Sequence, residues 1–342
     1  MKAVFLTKYG NSSDVFEIRE TAIPEPKGTE VLVKVETFGL NFADVIARRG
    51  MYGEAPANPC ILGYEVVGHI EKLGTEVTTL KVGQKVVGLT RFGGYAEYAL
   101  TEEMAAVVIP EEMDNGVATC LATQYATAYY SAYILGNLQE NDHVLIHAAA
   151  GGVGIALTQL AKLRGCVTYG TTSSAEKIAF IKKSGIDFPI NYKDHLFEEE
   201  VLKLNINRKL DVIFDPIGGK NFKKSKSVLA NGGRIITYGA SDQLKGKKGF
   251  LNNMRLLFGF GFLHPVFLIM SSKSVLGVNL LRIAENRPDL LNKSMNAVVN
   301  LVKEKKLSPH VGASYHINDI AIAHDLLESR KSIGKVVVNW SI

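Results

Sequence analysis

The chain has 342 residues, of which 46% are hydrophobic and 21% charged, enough for two ordinary globular domains with sizeable cores. Its 39 Lys and Arg against 34 Asp and Glu leave a net charge of +5, too mild and too scattered to mark a nucleic-acid binder. The three cysteines, Cys60, Cys120 and Cys166, lie far apart and form no CxxC pair, which argues against a disulfide framework and for a reducing, cytoplasmic setting.

The opening stretch, "MKAVFLTKYG", lacks the apolar run of a secretory signal. The first third then reads as β-rich: "VLVKVETFGL", "EVVGHIEKLG", "VGQKVVGL" and "GGYAEYAL" alternate or run apolar between glycines. Within it, Asn41-Phe42-Ala43-Asp44 has the form of a helix N-cap with an acid at the third helical position. Near Asp114 the character changes. Short β-branched runs alternate with helical patterns: "HVLIHA" before a helix over 152–164, then "CVTYGT" before "SAEKIAFIKKSG", then "DVIFDP", "GRIITYG" and "SVLGVNL". That alternation predicts a parallel sheet with crossover helices, an α/β fold. A helix near 290–305 precedes a last apolar strand, "GKVVVNW".

Two stretches stand outside this pattern. "KGKKG" at 245–249 reads as a solvated loop, with a phosphate or headgroup contact as the alternative. Leu256–Met270 carries a single strongly polar side chain, His264. It is too short to span a bilayer, and Gly259, Gly261 and Pro265 argue against a core strand. A short helical or loop wall carrying Phe258, Phe260, Phe262 and Phe267 is expected beside an apolar ligand. A homodimer contact next to "SVLGVNL" is the other reading, and both stay open.

"VLIHAAAGGVGIALTQLAK" joins a buried strand to a helix through Ala149-Ala150-Gly151-Gly152-Val153-Gly154. This is a G-x-G-x-x-G turn with Ala149 at the first glycine. Small residues let the backbone come close to a pyrophosphate, and the helix N-terminus offers it amides and a positive dipole end. The second strand then runs into Thr171, Thr172, Ser173 and Ser174, with no acid at its tip and Lys177 one turn later. NAD sites place a carboxylate there for the ribose 2′-hydroxyl, whereas hydroxyls and an ammonium suit a 2′-phosphate. The expected cofactor is therefore NADPH, with Thr172, Ser173 and Lys177 at the phosphate and Tyr192 on the same rim. A helix-capping role for Ser173 or Ser174 is compatible with this.

The segments "GLNFADVIARRGMYG", "ILGYEVVG", "HAAAGGVGIALTQLAK", "DPIGG" and "ESRKSIGKVVV", in this order, resemble the medium-chain dehydrogenase/reductase superfamily. Within it they resemble the zinc-free quinone oxidoreductases, in particular the branch of the synaptic vesicle amine transport protein. The resemblance implies a GroES-like β-rich catalytic domain, expected over 1–123 and 307–342, and a Rossmann NADPH-binding domain over 124–306, with the active site in the cleft between them. It implies a further cofactor contact at Thr127, while Gly239, Val278 and Asn279 are expected as contacts because they fall at the C-terminal ends of sheet strands, where open α/β sheets bind ligands; an ordinary strand-ending turn is the alternative for Gly239. It sets Asn41, Tyr64 and Thr123 at the positions of the catalytic zinc ligands, none of which is a good ligand for that metal, and implies no zinc. His69 and His147 fall in strands as core residues, and Cys60 as a small apolar filler.

Without a metal to act as Lewis acid, a simple alcohol is hard to activate for hydride loss. A conjugated acceptor is easier, because it spreads the charge that hydride addition creates, and the protein needs only donors at the developing oxyanion. The expected activity is thus NADPH-dependent reduction of quinones or α,β-unsaturated carbonyls, with Asn41, Tyr52 and Tyr64 as the candidate donors in a cytoplasmic homodimer. Asn41 could instead serve only as a helix cap, and Tyr64 could only fill the metal's space. Glu65 is expected to be a buried partner of an arginine, its role left open. The competing reading is a membrane-surface or protein-binding module that keeps NADPH as a structural ligand.

Overall fold

The computed structural model describes residues 1–204, 209–242, 258–261 and 263–341. "KGKKG" at 245–249, Leu256, Leu257 and Phe262 lie outside the described residues. Two compact units divide the chain: Met1–Ala126 with Leu280–Glu304 and Pro309–Ile342, and Thr127–Asn279 with Lys305–Ser308.

The first unit is β-rich. A seven-stranded sheet is ordered Val311–His316, Lys335–Asn339, Glu30–Leu40, Glu65–Leu73, Lys85–Leu89 and Ala106–Val108, with Tyr98–Glu102 also paired to Glu30–Leu40. Lys2–Leu6 stands between Phe16–Glu20 and Cys60–Ile61 in a separate three-stranded sheet. The C-terminal strand is interior rather than an edge: Val338 lies opposite Phe38 on one side and Tyr315 on the other. Its three valines, Val336 to Val338, are buried. Here lies the main difference from the expected division. Residues 280–304 were expected in the Rossmann domain, but Leu280–Asn286 and Pro288–Lys303 pack within the first unit. Asn292 donates to the Met104 carbonyl at 3.0 Å, and Leu291, Met295 and Val298 have no exposed surface.

The second unit is built on a parallel sheet of six strands, in the order Phe188–Asn191, Val167–Thr172, His143–Ile146, Leu210–Asp215, Leu229–Thr237 and Ser274–Gly277. In chain order this is 3-2-1-4-5-6, the doubly wound arrangement in which strand order reverses between the first and fourth strands. Val144, Leu145 and Ile146 are all fully buried, as are Val212, Ile213 and Phe214 across from them. Both faces of these strands are therefore covered, which is why their sequences run apolar without alternation. Helices Gly152–Leu163, Ala175–Lys183, Phe197–Leu204 and Gly219–Val228 supply the cover. No helix among the described residues is long and apolar enough to cross a membrane.

Within Leu256–Met270, Pro265–Ser271 is a helix, with Pro265 at its start and the His264 side chain accepting from the Val266 amide. None of its residues is buried. Phe260 packs on Phe222 at 5.2 Å between ring centroids, whereas Phe258 and Phe267 are exposed.

Candidate functional site

In the second unit, the turn after His143–Ile146 bends at Ala148, which takes a left-handed φ of 53°. Its carbonyl accepts from the Gly151 amide at 2.9 Å, and Gly151 caps the helix Gly152–Leu163. The amides of Gly152, Val153 and Gly154 thus open a helix that cannot use them itself. Gly154 is demanded by packing: a Cβ there would sit 2.5 Å from the Ala148 oxygen and 2.7 Å from the Ala149 Cα. Ala149 replaces the first glycine of the pattern, and the neighbouring strand makes room for its methyl at Gly170, where a Cβ would come within 3.1 Å of it. Ala150 is buried beside it.

The second strand ends as an acid-free rim. Thr171 meets His147 Nδ1 at 3.0 Å and is thereby committed to the interior. His147 is buried, also meets Ser225 at 3.0 Å, and is a satisfied core residue whose burial lowers its pKa. Ser174 caps Ala175–Lys183 by accepting from the Lys177 amide, which leaves Ser173 as the hydroxyl without the capping task. Tyr192 donates its backbone N–H to the Thr172 carbonyl at 3.0 Å, and the residue is 42% exposed. Burial lowers the pKa of Lys177, with neighbouring Glu176 opposing. A partly desolvated ammonium of this kind gains more from an anion than a fully hydrated one.

The remaining positions of this unit divide. Asp215 is fully buried and accepts from the amides of Ile217 (2.8 Å) and Gly218 (3.1 Å), so it shapes the turn after its strand. Gly239 is required by its own chain, since a Cβ would lie 2.8 Å from the Pro216 oxygen. Val278 donates to the Thr237 carbonyl at 2.9 Å, continuing the last strand's pairing, and Asn279 is exposed. Thr127 is buried in the short helix Ala126–Tyr129.

The first unit holds a buried polar cluster. Asn41 caps the helix Phe42–Arg48, and the Asp44 carboxylate accepts from its backbone N–H at 2.8 Å. The Asn41 side chain turns elsewhere. Its Nδ2 donates to Glu65 Oε1 at 2.8 Å, and its Oδ1 accepts from Lys335 Nζ at 3.0 Å. Lys335 also donates directly to Glu65 Oε1, and the other oxygen, Oε2, accepts from the Thr123 amide at 3.0 Å. Both members of the ion pair are wholly buried. The expected arginine partner of Glu65 is therefore corrected to Lys335, from a strand 270 residues further along. The space beside Gly39 is filled by the lysine's end, since a Cβ there would lie 2.7 Å from Lys335 Nζ.

Tyr64 is 3% exposed, and its ring stands edge-on to Tyr52 at 6.3 Å and tilted to Phe92 at 5.2 Å. Burial drives the Tyr64 hydroxyl far above its ordinary pKa and raises that of Tyr52, so both remain neutral donors throughout the physiological range. Asp44 is fully buried, and burial raises its carboxyl to about 7. Sequence reasoning singled out Asn41 and Tyr64 but not Lys335, and the only signal it carried was a lysine heading an otherwise apolar strand. Cys60 is buried in the core as expected. His69 differs: it is about one-third exposed and sits between Glu36 and Glu111, at 2.8 and 3.1 Å. No cluster of metal-binding side chains occurs among the described residues.

Residues 27–111 match the alcohol dehydrogenase GroES-like domain family, and residues 184–338 the zinc-binding dehydrogenase family. A synaptic vesicle membrane protein VAT-1 homolog of Danio rerio is 36% identical over 338 residues, covering 98% of this chain and 69% of the relative. Among solved structures, the Escherichia coli quinone oxidoreductase complexed with NADPH superposes with a TM-score of 0.87 at 25% identity, over 99% of this chain and 100% of that one. The CurK enoyl reductase does so with a TM-score of 0.85 at 25% identity, over 99% and 98% of the two chains.

Proposed function

The chain belongs to the medium-chain dehydrogenase/reductase superfamily, in its VAT-1 branch, and from that membership we propose that it is an NADPH-dependent, zinc-independent reductase of quinones or α,β-unsaturated carbonyls. The carrying observation is the buried ammonium of Lys335, bound to Asn41 Oδ1 at 3.0 Å. The resemblance sets Asn41 among the positions of the catalytic zinc ligands. Here a cation belonging to the chain already occupies the would-be ligand, and the amide and hydroxyls of Asn41, Tyr64 and Thr123 make a poor zinc set. Such a site does not polarise an alcohol, but it can donate hydrogen bonds to the oxygen of a conjugated acceptor.

In this reading NADPH, when bound, supplies the hydride. The amides of Gly152 to Gly154 receive the pyrophosphate, and Ser173 and Lys177 receive the 2′-phosphate, with Thr172 and Tyr192 forming the rim beside them. Thr127, Gly239, Val278 and Asn279 are proposed as further contacts. Asn41, Tyr52 and Tyr64 serve the acceptor. The NADPH in the E. coli quinone oxidoreductase supports the cofactor assignment, and the likeness to an enoyl reductase supports a conjugated acceptor. A homodimer is also proposed, through the edge of Ser274–Gly277, which among the described residues has a neighbour on one side only in its sheet.

NADPH oxidation measured against a panel of quinones and enals tests the activity, and turnover with at least one class is expected. Chelation should leave that turnover intact, with zinc well below one per chain. A stoichiometric zinc whose removal stops the reaction would overturn the metal-free reading. The cofactor choice has its own expected result. Lys177→Ala should weaken NADPH binding by about 1–3 kcal/mol, the range for a charge-assisted hydrogen bond, while NADH binding hardly changes. Equal losses for both cofactors would show that Lys177 does not meet the 2′-phosphate.

A second reading is favoured by one observation. Phe267, Ile269 and Met270 expose roughly two-thirds to three-quarters of their surface on one short helix, as a module that binds a membrane or a protein would. No turnover with any acceptor, together with liposome binding, would favour it.

A further inference from the structure

We propose that the buried Glu65–Lys335 pair is a positioning device that fixes the Asn41 carboxamide in one orientation and leaves a single N–H of that amide for the substrate's oxygen. The assignment of the oxygen rests on the function proposed above; the fixed orientation does not.

The argument starts from what each partner can do. An ammonium only donates and a carboxylate only accepts, whereas a carboxamide does both through two ends of similar shape. Asn41 Oδ1 lies 3.0 Å from Lys335 Nζ, and its Nδ2 lies 2.8 Å from Glu65 Oε1. A flipped amide would set donor against donor and acceptor against acceptor. The pair therefore admits one orientation, with one of the two Nδ2 hydrogens committed to Glu65. The second hydrogen is what remains, on a residue that is itself only 8% exposed.

Glu65 is held in turn by the Thr123 amide, 3.0 Å from its other oxygen, so the lock has no loose end. Thr123 Oγ1 is buried without a hydrogen-bond partner among the described residues, a polar atom left over at the same place.

Stability alone is a weak reason to keep such a pair. Removing two charges from water costs several kcal/mol per ion, and well-packed apolar replacements are often as stable. The surrounding backbone is nevertheless shaped for it. Gly39 faces the pair, and a Cβ there would come 2.5 Å from Glu65 Oε1 and 2.7 Å from Lys335 Nζ, overlapping the lysine's last methylene as well. The space of one methyl group is thus reserved for the two charged ends.

Two variants test the lock. Glu65→Gln with Lys335→Met keeps the volume and leaves no lone buried charge, but its neutral amide can pair with either end of Asn41. Gly39→Ala leaves all three polar residues in place and displaces only flexible side-chain ends. In both, kcat for the best acceptor should fall about 10- to 100-fold, toward the loss seen when an oxyanion donor is removed, with the NADPH dissociation constant unchanged. Independently of turnover, the two side-chain amide protons of Asn41, assigned with Asn41→Asp, should be widely separated by NMR in the wild type and converge in the variants. Wild-type kcat together with an unchanged Asn41 amide spectrum in folded variants would overturn the proposal. A wild type that reduces no acceptor would overturn the function while the NMR comparison still decides the lock; converged wild-type signals would sink it.

Discussion

Gly154→Val is expected to abolish measurable NADPH binding, a loss of at least about 100-fold or ~3 kcal/mol. The reason is what the new side chain meets. A Cβ at 154 lies 2.5 Å from the Ala148 oxygen, 2.7 Å from the Ala149 Cα and 2.9 Å from the Ala149 carbonyl carbon. All three are backbone, so no rotamer change relieves them. The helix must move off the turn, and with it go the amides of Gly152 to Gly154, whose alignment on an anion is steeply dependent on distance and angle. Gly151→Ala is the internal control, because its nearest neighbour would be the Ala148 oxygen at 3.3 Å, a contact that a small shift absorbs. Titration of both variants with NADPH should show a loss of less than tenfold for Gly151→Ala. Wild-type affinity in a folded Gly154→Val protein would mean that this turn is not the pyrophosphate cradle.

Asp44→Asn is expected to raise stability at pH 8 relative to wild type and to leave it little changed at pH 4. The folded-state pKa of Asp44 is raised from 3.8 to about 7, chiefly by burial, with the Asn41 amide and Lys335 lowering it and Glu65 raising it. A carboxyl with a raised folded pKa contributes stability that is present below its unfolded value and lost as pH rises through the folded one. The folded protein holds a proton that the unfolded chain has released, so stability falls across that window. The rise from 3.8 to about 7 corresponds to roughly 4 kcal/mol at most. Asparagine keeps an oxygen for the Asn41 amide and has no charge to bury. Two buried histidines, His147 and His324, act in the opposite sense. Burial lowers both of their pKa values, so they cost stability as pH falls below about 6.5. The readout is therefore the difference between wild-type and variant urea midpoints from pH 4 to 8. A difference that does not grow with pH would show that Asp44 is ionised throughout.

The doubly wound sheet was legible because its signals are local. The apolar runs at 143–146, 210–215 and 229–237 need no partner to be recognised, and a glycine-rich turn between strand and helix defines its own context. The helix Gly152–Leu163 ends one residue before the expected 164. The proposed rim at Thr172, Ser173 and Lys177 rests on adjacency along the chain. The site in the first unit was legible only by residue type. Asn41 and Tyr64 stand out where the resemblance places metal ligands, but the ammonium that donates to Asn41 comes from residue 335. Periodicity carries no information about contacts across 294 residues. The helices over 280–304 escaped for a similar reason: a helical pattern states which face is apolar, not which sheet covers it.

The place of Lys335–Asn339 in the interior of the seven-stranded sheet has a consequence for the order in which the molecule can be made. Residues 127–279 form nearly all of the second unit and are contiguous, so that part can fold while synthesis continues, as domains commonly do. The first unit begins earlier on the chain yet cannot close. Until Lys335 leaves the ribosome, Glu65 has no counter-ion, and one side of Glu30–Leu40 lacks the strand that pairs Val336 with Leu40 and Asn339 with Thr37. Tyr98–Glu102 can pair residues 30–34 early, but residues 37–40 stay unpaired on that side until residues 336–339 are made. That flank is where chaperone contact and misassembly are to be looked for, and residues 37–40 reach their native pairing only after residues 336–339 are made.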